Sequence, residues 1–168
     1  MKDFEGFFEC LGEATQQLFN DLEDACKECA TDINESITVK YLRPGGIVRC
    51  KSNKQKNYAV LLNSVDVVSV GKDGALKECS LQEFLSDHEA EQLWVASQDQ
   101  ISVGAYDIAH CARMELDEKR YPNSKSFILH CMGKDGYESV NIAIEERFGA
   151  FKWLPYEEME NSDEHGIE

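Results

Sequence analysis

Apolar residues near the start of the chain fall at Phe4, Phe8, Leu11, Ala14, Leu18, Leu22, Ala25, Cys29 and Ile33. The steps alternate threes and fours, the period of a single helical stripe. Phe7, Phe19 and Cys26 widen the stripe, and Glu5, Glu9, Glu13, Asp21, Asp24 and Glu28 occupy the opposite face. One unbroken helix over this stretch would reach ~45 Å at 1.5 Å per residue, longer than a small domain is wide. Gly12 offers a break, at about 1 kcal/mol in a helix interior. Residues 1–36 therefore predict an acidic amphipathic helix packed across the remainder of the chain. Its heptad-like steps also suit a homodimer seam.

After Glu35 the period changes from helical to two. Alternating runs predict strands at 37–42, 47–51, 58–62, 65–70 and 75–79, with shorter extended pieces at 94–96 and 101–103. Ser80-Leu81-Gln82-Glu83 is a capping box, because a serine hydroxyl and a glutamate three residues on can each satisfy a free amide. It predicts a helix to about residue 92. Residues 108–115 alternate weakly and are read as extended. Residues 126–132 and 137–144 flank a turn and are read as a hairpin, and 148–156 is the last ordered run. The expected fold class is α+β: the acidic N-terminal helix packs on a mostly antiparallel twisted sheet or small SH3-like barrel, with one inserted capped helix. The corresponding divisions are 1–36, the β-rich core 37–155, and an acidic mobile tail 156–168.

The tetrapeptide Gly-Lys-Asp-Gly occurs at 71–74 and again at 133–136. A calcium loop of the EF-hand kind needs several alternating acids and a distant glutamate, and the tetrapeptide has one acid. A phosphate-binding Walker loop needs Gly-Lys followed by Ser or Thr, and here Asp follows. Asp-Gly between apolar runs instead signals a tight hairpin with positive φ at both central positions. Both copies are read as β-turns, and the unmatched flanks argue against an internal repeat.

Charge changes the picture more than any motif. The 168-residue chain carries −15, but unevenly. Residues 1–36 hold ten acids against two lysines, a net of −8. Residues 156–168 hold six acids and no lysine or arginine, whereas 37–155 comes to only −1. Such a balance disfavours direct nucleic-acid binding, since phosphates are repelled over most of the surface. It fits a contact with a protein partner that has a basic surface, through Glu5, Glu9, Glu13, Asp21, Asp24 and Glu28 at one end and Glu157, Glu158 and Glu160 at the other. No apolar run approaches the ~20 residues of a membrane span, and the acidic start lacks a signal region. Seven cysteines in such a chain are expected to be reduced, in a cytoplasmic setting.

Cysteine chemistry supplies the rival reading. Cys26-Lys27-Glu28-Cys29 has redox or metal spacing, but both thiols lie deep in the predicted helix on its apolar stripe. A zinc site needs a second matched pair, and Cys50, Cys79, Cys111 and Cys131 are dispersed. No metal or other cofactor is expected. His110-Cys111 and His130-Cys131 each fall in a predicted strand, with the two side chains of each pair on opposite faces. Neighbouring strands would gather the histidines on one face and the cysteines on the other. A cysteine-dependent hydrolase or transferase would pair Cys26 or Cys29 with His110 or His130, although such a nucleophile should open its helix and neither does. Phe148, Phe151, Trp153 and Tyr156 read first as core and second as a docking patch. The expected function is a non-enzymatic acidic protein-binding protein. Its most specific form is a small phage or mobile-element inhibitor that occupies the basic nucleic-acid-binding surface of a host enzyme.

Overall fold

The computed structural model describes residues 20–22 and 38–156, position 53 excepted. The chain is α+β. Seven strands form one mostly antiparallel open sheet: β1 Ile47–Ser52, β2 Gln55–Leu61, β3 Asp66–Val70, β4 Leu76–Ser80, β5 Trp94–Gln98, β6 Ile101–Ser102 and β7 Lys152–Pro155. The order runs β4-β3-β2-β1-β5, and β5 also pairs with β6 and β7. Residues 20–22 are helical, while the rest of the acidic N-terminal stripe and the tail lie outside the described residues.

Period-two alternation divides the buried side chains between the two faces of the sheet. Ile47, Tyr58, Val60, Val68, Ala96 and Trp153 point to one side, and Val48, Cys50, Ala59, Leu61, Val67 and Val95 to the other. Helices cover both. The first face lies under α2 Tyr106–Glu115, α3 Ser124–Cys131 and α4 Val140–Phe148. The second is covered by α1 Leu81–Asp87 through Leu81, Phe84 and Leu85. Fully burying one large apolar side chain is worth roughly 1.5–3 kcal/mol, so a sheet covered on both faces draws its stability from both layers.

The strands at 47–51, 58–62, 65–70 and 75–79 stand within a residue or three of their expected bounds. The run at 37–42 does not form a regular strand among its described positions. Tyr41 makes an isolated parallel bridge to Ile101, and the Lys40 amide bonds to the Gln100 carbonyl at 2.8 Å. Asp99 and Gln100 both have positive φ and form the two-residue turn that pairs β5 with β6, and the 38–42 segment meets the end of that hairpin at a single bridge. Phe151, Trp153 and Leu154 are core, in line with the first reading of the aromatic cluster.

Two stretches read as extended are helical. In 108–115, Ile108, Ala109 and Ala112 are the buried positions, a helical spacing. The predicted hairpin 126–132/137–144 is the helix pair α3 and α4, and the reason is capping. Asn123 Oδ1 accepts from the Ser126 amide at 2.8 Å, and Ser139 Oγ accepts from the Ile142 amide at 3.3 Å. At the far end of α3, the Gly133 amide bonds to the His130 carbonyl at 3.0 Å and the Lys134 amide to the Leu129 carbonyl at 2.8 Å. With Gly133 at φ +69°, this is a Schellman termination. The second Gly-Lys-Asp-Gly thus closes a helix. The first does turn a hairpin between β3 and β4, with Val70 opposite Leu76. Only its Gly74 has positive φ, so it is a wider turn ending in a left-handed glycine. The serine half of the capping box forms, with Ser80 Oγ accepting from the Glu83 amide at 3.1 Å, while the Glu83 carboxylate pairs with Lys77 at 2.7 Å. Its helix stops at Asp87, short of residue 92, because Glu89 turns left-handed and the Ala90 amide bonds back to the Leu85 carbonyl at 2.9 Å.

Two local features fix the helical layer in place. Gly45, at φ +79°, lies so close to the start of α2 that an added Cβ would sit 1.8 Å from the Ala105 carbonyl oxygen. Arg147 of α4 donates to the Met132 carbonyl at the end of α3, at 3.1 Å, and to the Asp107 carboxylate in the first turn of α2. That guanidinium holds the Asp107 carboxyl below its usual range.

Two predictions follow from these contacts. Gly45→Ala is expected to cost more than ~3 kcal/mol by denaturant titration, because backbone must move. Gly136→Ala, also at positive φ but facing open space, is expected to cost about 1–2 kcal/mol. Asp107, with a depressed folded-state pKa, contributes stability above its unfolded pKa and loses it as pH falls through the folded value. Asp107→Asn should therefore lower stability at pH 7 by about 0.5–1 kcal/mol, scaled to a solvent-exposed pair. The difference should shrink progressively as pH falls through the folded-state value, when unfolding free energies are compared along an acid series.

Candidate functional site

Where α2, α3 and the loop after α3 meet, six polar side chains converge. Cys111 and Glu115 are four residues apart on α2, and that spacing puts them about 6 Å apart on one face. His130 lies in the last turn of α3, and its Nε2 is 3.5 Å from Glu115 Oε1. One donor atom each from Cys111, Glu115 and His130 falls within a common 4.8 Å. The Schellman loop returns Asp135 to the opposite edge of the imidazole, with Oδ1 3.0 Å from His130 Nδ1. Tyr121 donates its hydroxyl to Glu115 Oε2 at 3.2 Å, and Lys119 Nζ stands 3.3 Å from Glu115 Oε1. The Tyr121 ring rests against Phe127 and His130, with centroids at 5.3 and 5.8 Å.

Burial sets the charge states. It pushes the Tyr121 hydroxyl up, reinforced by the Glu115 charge, so the phenol stays a donor. It also pushes up the Cys131 thiol, with Cys111 adding to the shift. The Cys111 thiol is raised by burial as well, against an opposing hydrogen bond from Cys131. A His–carboxylate pair beside a thiol has the composition of a nucleophilic triad. Here, however, Glu115 faces the second imidazole nitrogen and the thiol is kept protonated. Sulfur, nitrogen and carboxylate oxygen on one small surface suit a borderline cation better than a thiolate nucleophile.

The sequence candidates distribute unevenly over the structure. His130 belongs to this cluster. His110 is exposed on α2 and stacks on Tyr106 at a centroid distance of 6.5 Å. Cys111 and Cys131 come together, as the paired His-Cys dipeptides suggested, but on helices and without the two histidines sharing a site. Cys26, Cys29, Glu5, Glu9, Glu13, Asp24, Glu28, Glu157, Glu158 and Glu160 lie outside the described residues. Asp21 is exposed on the helical residues 20–22 and borders a cleft of about 760 Å³ whose walls carry Lys54, Lys56, Lys72, Lys125 and His88. Burial lowers the Lys56 pKa, and the Asp21 charge opposes that shift. The Tyr58 amide donates to Ser124 Oγ at 3.0 Å among the residues lining this cleft. Among the described residues, no helix is long and apolar enough to cross a membrane.

Comparison with known proteins returns no matching family model, curated protein or solved structure. The residues themselves are therefore the basis for any functional reading.

Glu115 and Tyr121 were not singled out from the sequence, and Asp135 was weighed only as the single acid of the second Gly-Lys-Asp-Gly turn. Cys111 and Glu115 share a face in a strand too, but about 13 Å apart at 3.3 Å per residue. Reading 108–115 as extended removed the contact. The available signal was Asn123 before a polar-apolar run and Gly133 after it, a start and stop for a helix.

The buried thiols generate a direct expectation. Cys50 is pushed up to about 12 by burial, and Cys79 and Cys131 are raised for the same leading reason. Alkylation at pH 7, mapped by mass spectrometry, should label these three at least about 10³-fold more slowly in native than in denatured protein.

Proposed function

We propose that this chain is a non-enzymatic protein that binds a protein partner through acidic surface. In its most specific form it is a small inhibitor of phage or mobile-element kind, occupying the basic nucleic-acid-binding surface of a host enzyme. One observation carries the reading: the −8 of residues 1–36 and the −6 of residues 156–168 flank a core of −1. Solubility alone does not call for charge segregated to both ends. In this reading residues 1–36 form an acidic helix packed on the sheet, with Glu5, Glu9, Glu13, Asp21, Asp24 and Glu28 outward. Glu157, Glu158 and Glu160 extend the same field.

The exposed position of Asp21 on a helical turn supports an outward acidic face. The protonated state favoured for Cys111 and Cys131 argues against a thiolate enzyme built on those residues. Steering by such a field accelerates encounter and discriminates by sign, and it weakens as salt screens it.

The test is capture of partner from lysate across a salt series, with wild-type protein and a variant carrying Gln or Asn at Glu5, Glu9, Glu13, Asp24, Glu28, Glu157, Glu158 and Glu160. Wild-type capture should fall steeply between about 0.1 and 1 M salt, where the Debye length shrinks from ~10 to ~3 Å. The neutralised variant should lose at least about tenfold in affinity. Undiminished capture by that variant, or capture indifferent to salt, overturns the reading.

A further inference from the structure

We propose that Cys111, Glu115 and His130 together bind a divalent ion of the zinc type, with Asp135 orienting the imidazole. This lies beyond the partner-binding reading and does not depend on it.

The geometry carries the proposal. Around a tetrahedral ion with bonds of about 2.0–2.3 Å, neighbouring donor atoms stand roughly 3.3–3.7 Å apart. Glu115 Oε1 and His130 Nε2 already stand at 3.5 Å, and the Cys111 sulfur completes a set held within 4.8 Å. Thiolate, imidazole and carboxylate are the three ligand types zinc takes in proteins. The positioning partners are also present. A ligating histidine characteristically gives its other ring N–H to a carboxylate, and His130 Nδ1 faces Asp135 Oδ1 at 3.0 Å. A ligating carboxylate is itself hydrogen-bonded, and Glu115 Oε2 accepts from the Tyr121 hydroxyl.

Charge balance agrees. A Cys111 thiolate and the Glu115 carboxylate bring two negative charges, which one divalent ion cancels, with the thiol proton passing to solvent. Lys119 neutralises Glu115 in the described arrangement, and with its side chain 54% exposed, turning it to solvent on metal binding would leave no buried charge. Cys131, hydrogen-bonded to Cys111, lies outside the donor set, so three protein ligands leave one position for water. The elements are rigid: one helix supplies two ligands a turn apart, and a second helix, fixed by its own Schellman loop, supplies the third.

The experiment uses the full chain, reduced and freed of metal with chelator, titrated with cobalt(II) as a spectroscopic stand-in for zinc. Tetrahedral cobalt bound to a thiolate gives intense d–d bands and a sulfur-to-metal charge-transfer band. We expect one cobalt per chain, displaced by zinc, with the charge-transfer band abolished in Cys111→Ser and kept in the Cys26→Ser/Cys29→Ser double variant. Asp135→Asn alters an exposed side chain away from the core and should weaken the ion about 10- to 100-fold. Circular dichroism of each variant separates loss of ligand from loss of fold. Should Cys111→Ser not fold, His130→Gln and Asp135→Asn decide the matter, and unchanged affinity in both overturns the proposal. Absence of cobalt binding overturns it too, as does a charge-transfer band that disappears with Cys26 and Cys29 and survives Cys111→Ser.

Discussion

Burial of one indole organises the molecule. Trp153, on β7, has no solvent exposure, and its Nε1–H donates to Asn141 Oδ1 of α4 at 2.9 Å. A buried donor left without an acceptor costs about 1–3 kcal/mol, so α4 must lie where Asn141 reaches the ring. The Arg49 guanidinium of β1 sits 4.2 Å from the same ring centroid, a cation–π contact worth about 2 kcal/mol or more when desolvated. Phe151 and Tyr58 enclose the remaining edges at centroid distances of 5.6 and 6.2 Å. Strand β5 lies between β1 and β7 and pairs with both, so the indole joins sheet to helices where the ladder branches.

From that anchor the helical layer builds outward by capping and charge. Arg147, near the end of α4, ties the end of α3 and the first turn of α2 to one guanidinium. The Schellman termination of α3 halts the helix and folds Asp135 back onto His130. The Cys111, Glu115 and His130 cluster is thus a consequence of where two helices are made to stop and meet. Its polar groups partner one another at a half-buried position, and the same arrangement suits a bound ion.

Charge acts on a different scale. Over 37–155 acids and bases nearly cancel, and Lys54 and Lys56 of the β1–β2 hairpin line a cleft bordered by Asp21. Asp21, exposed on its helical turn, is thus also a neighbour of the chain's own cations.

Most of the sheet was legible in the sequence because strand signals are local: Ile47-Val48, Tyr58-Ala59-Val60-Leu61 and Val67-Val68 are short apolar runs bounded by turn residues, and both faces of the sheet bury them. The Ser80 cap and the core placement of Phe151 and Trp153 were legible for the same reason, as was the segregation of charge to the two ends. What needed the tertiary structure was the helical layer. Phe127-Ile128-Leu129 is a short apolar run that a strand or a helix can bury equally well, and only the caps at Asn123, Gly133 and Ser139 choose between them. Two copies of one tetrapeptide accordingly close different structures, a hairpin at 71–74 and a helix at 133–136. Glu115, His130 and Asp135 acquire common chemistry only through that choice. Alternation and charge are carried by neighbours along the chain, whereas a site built from three elements exists only once packing has set the distances between them.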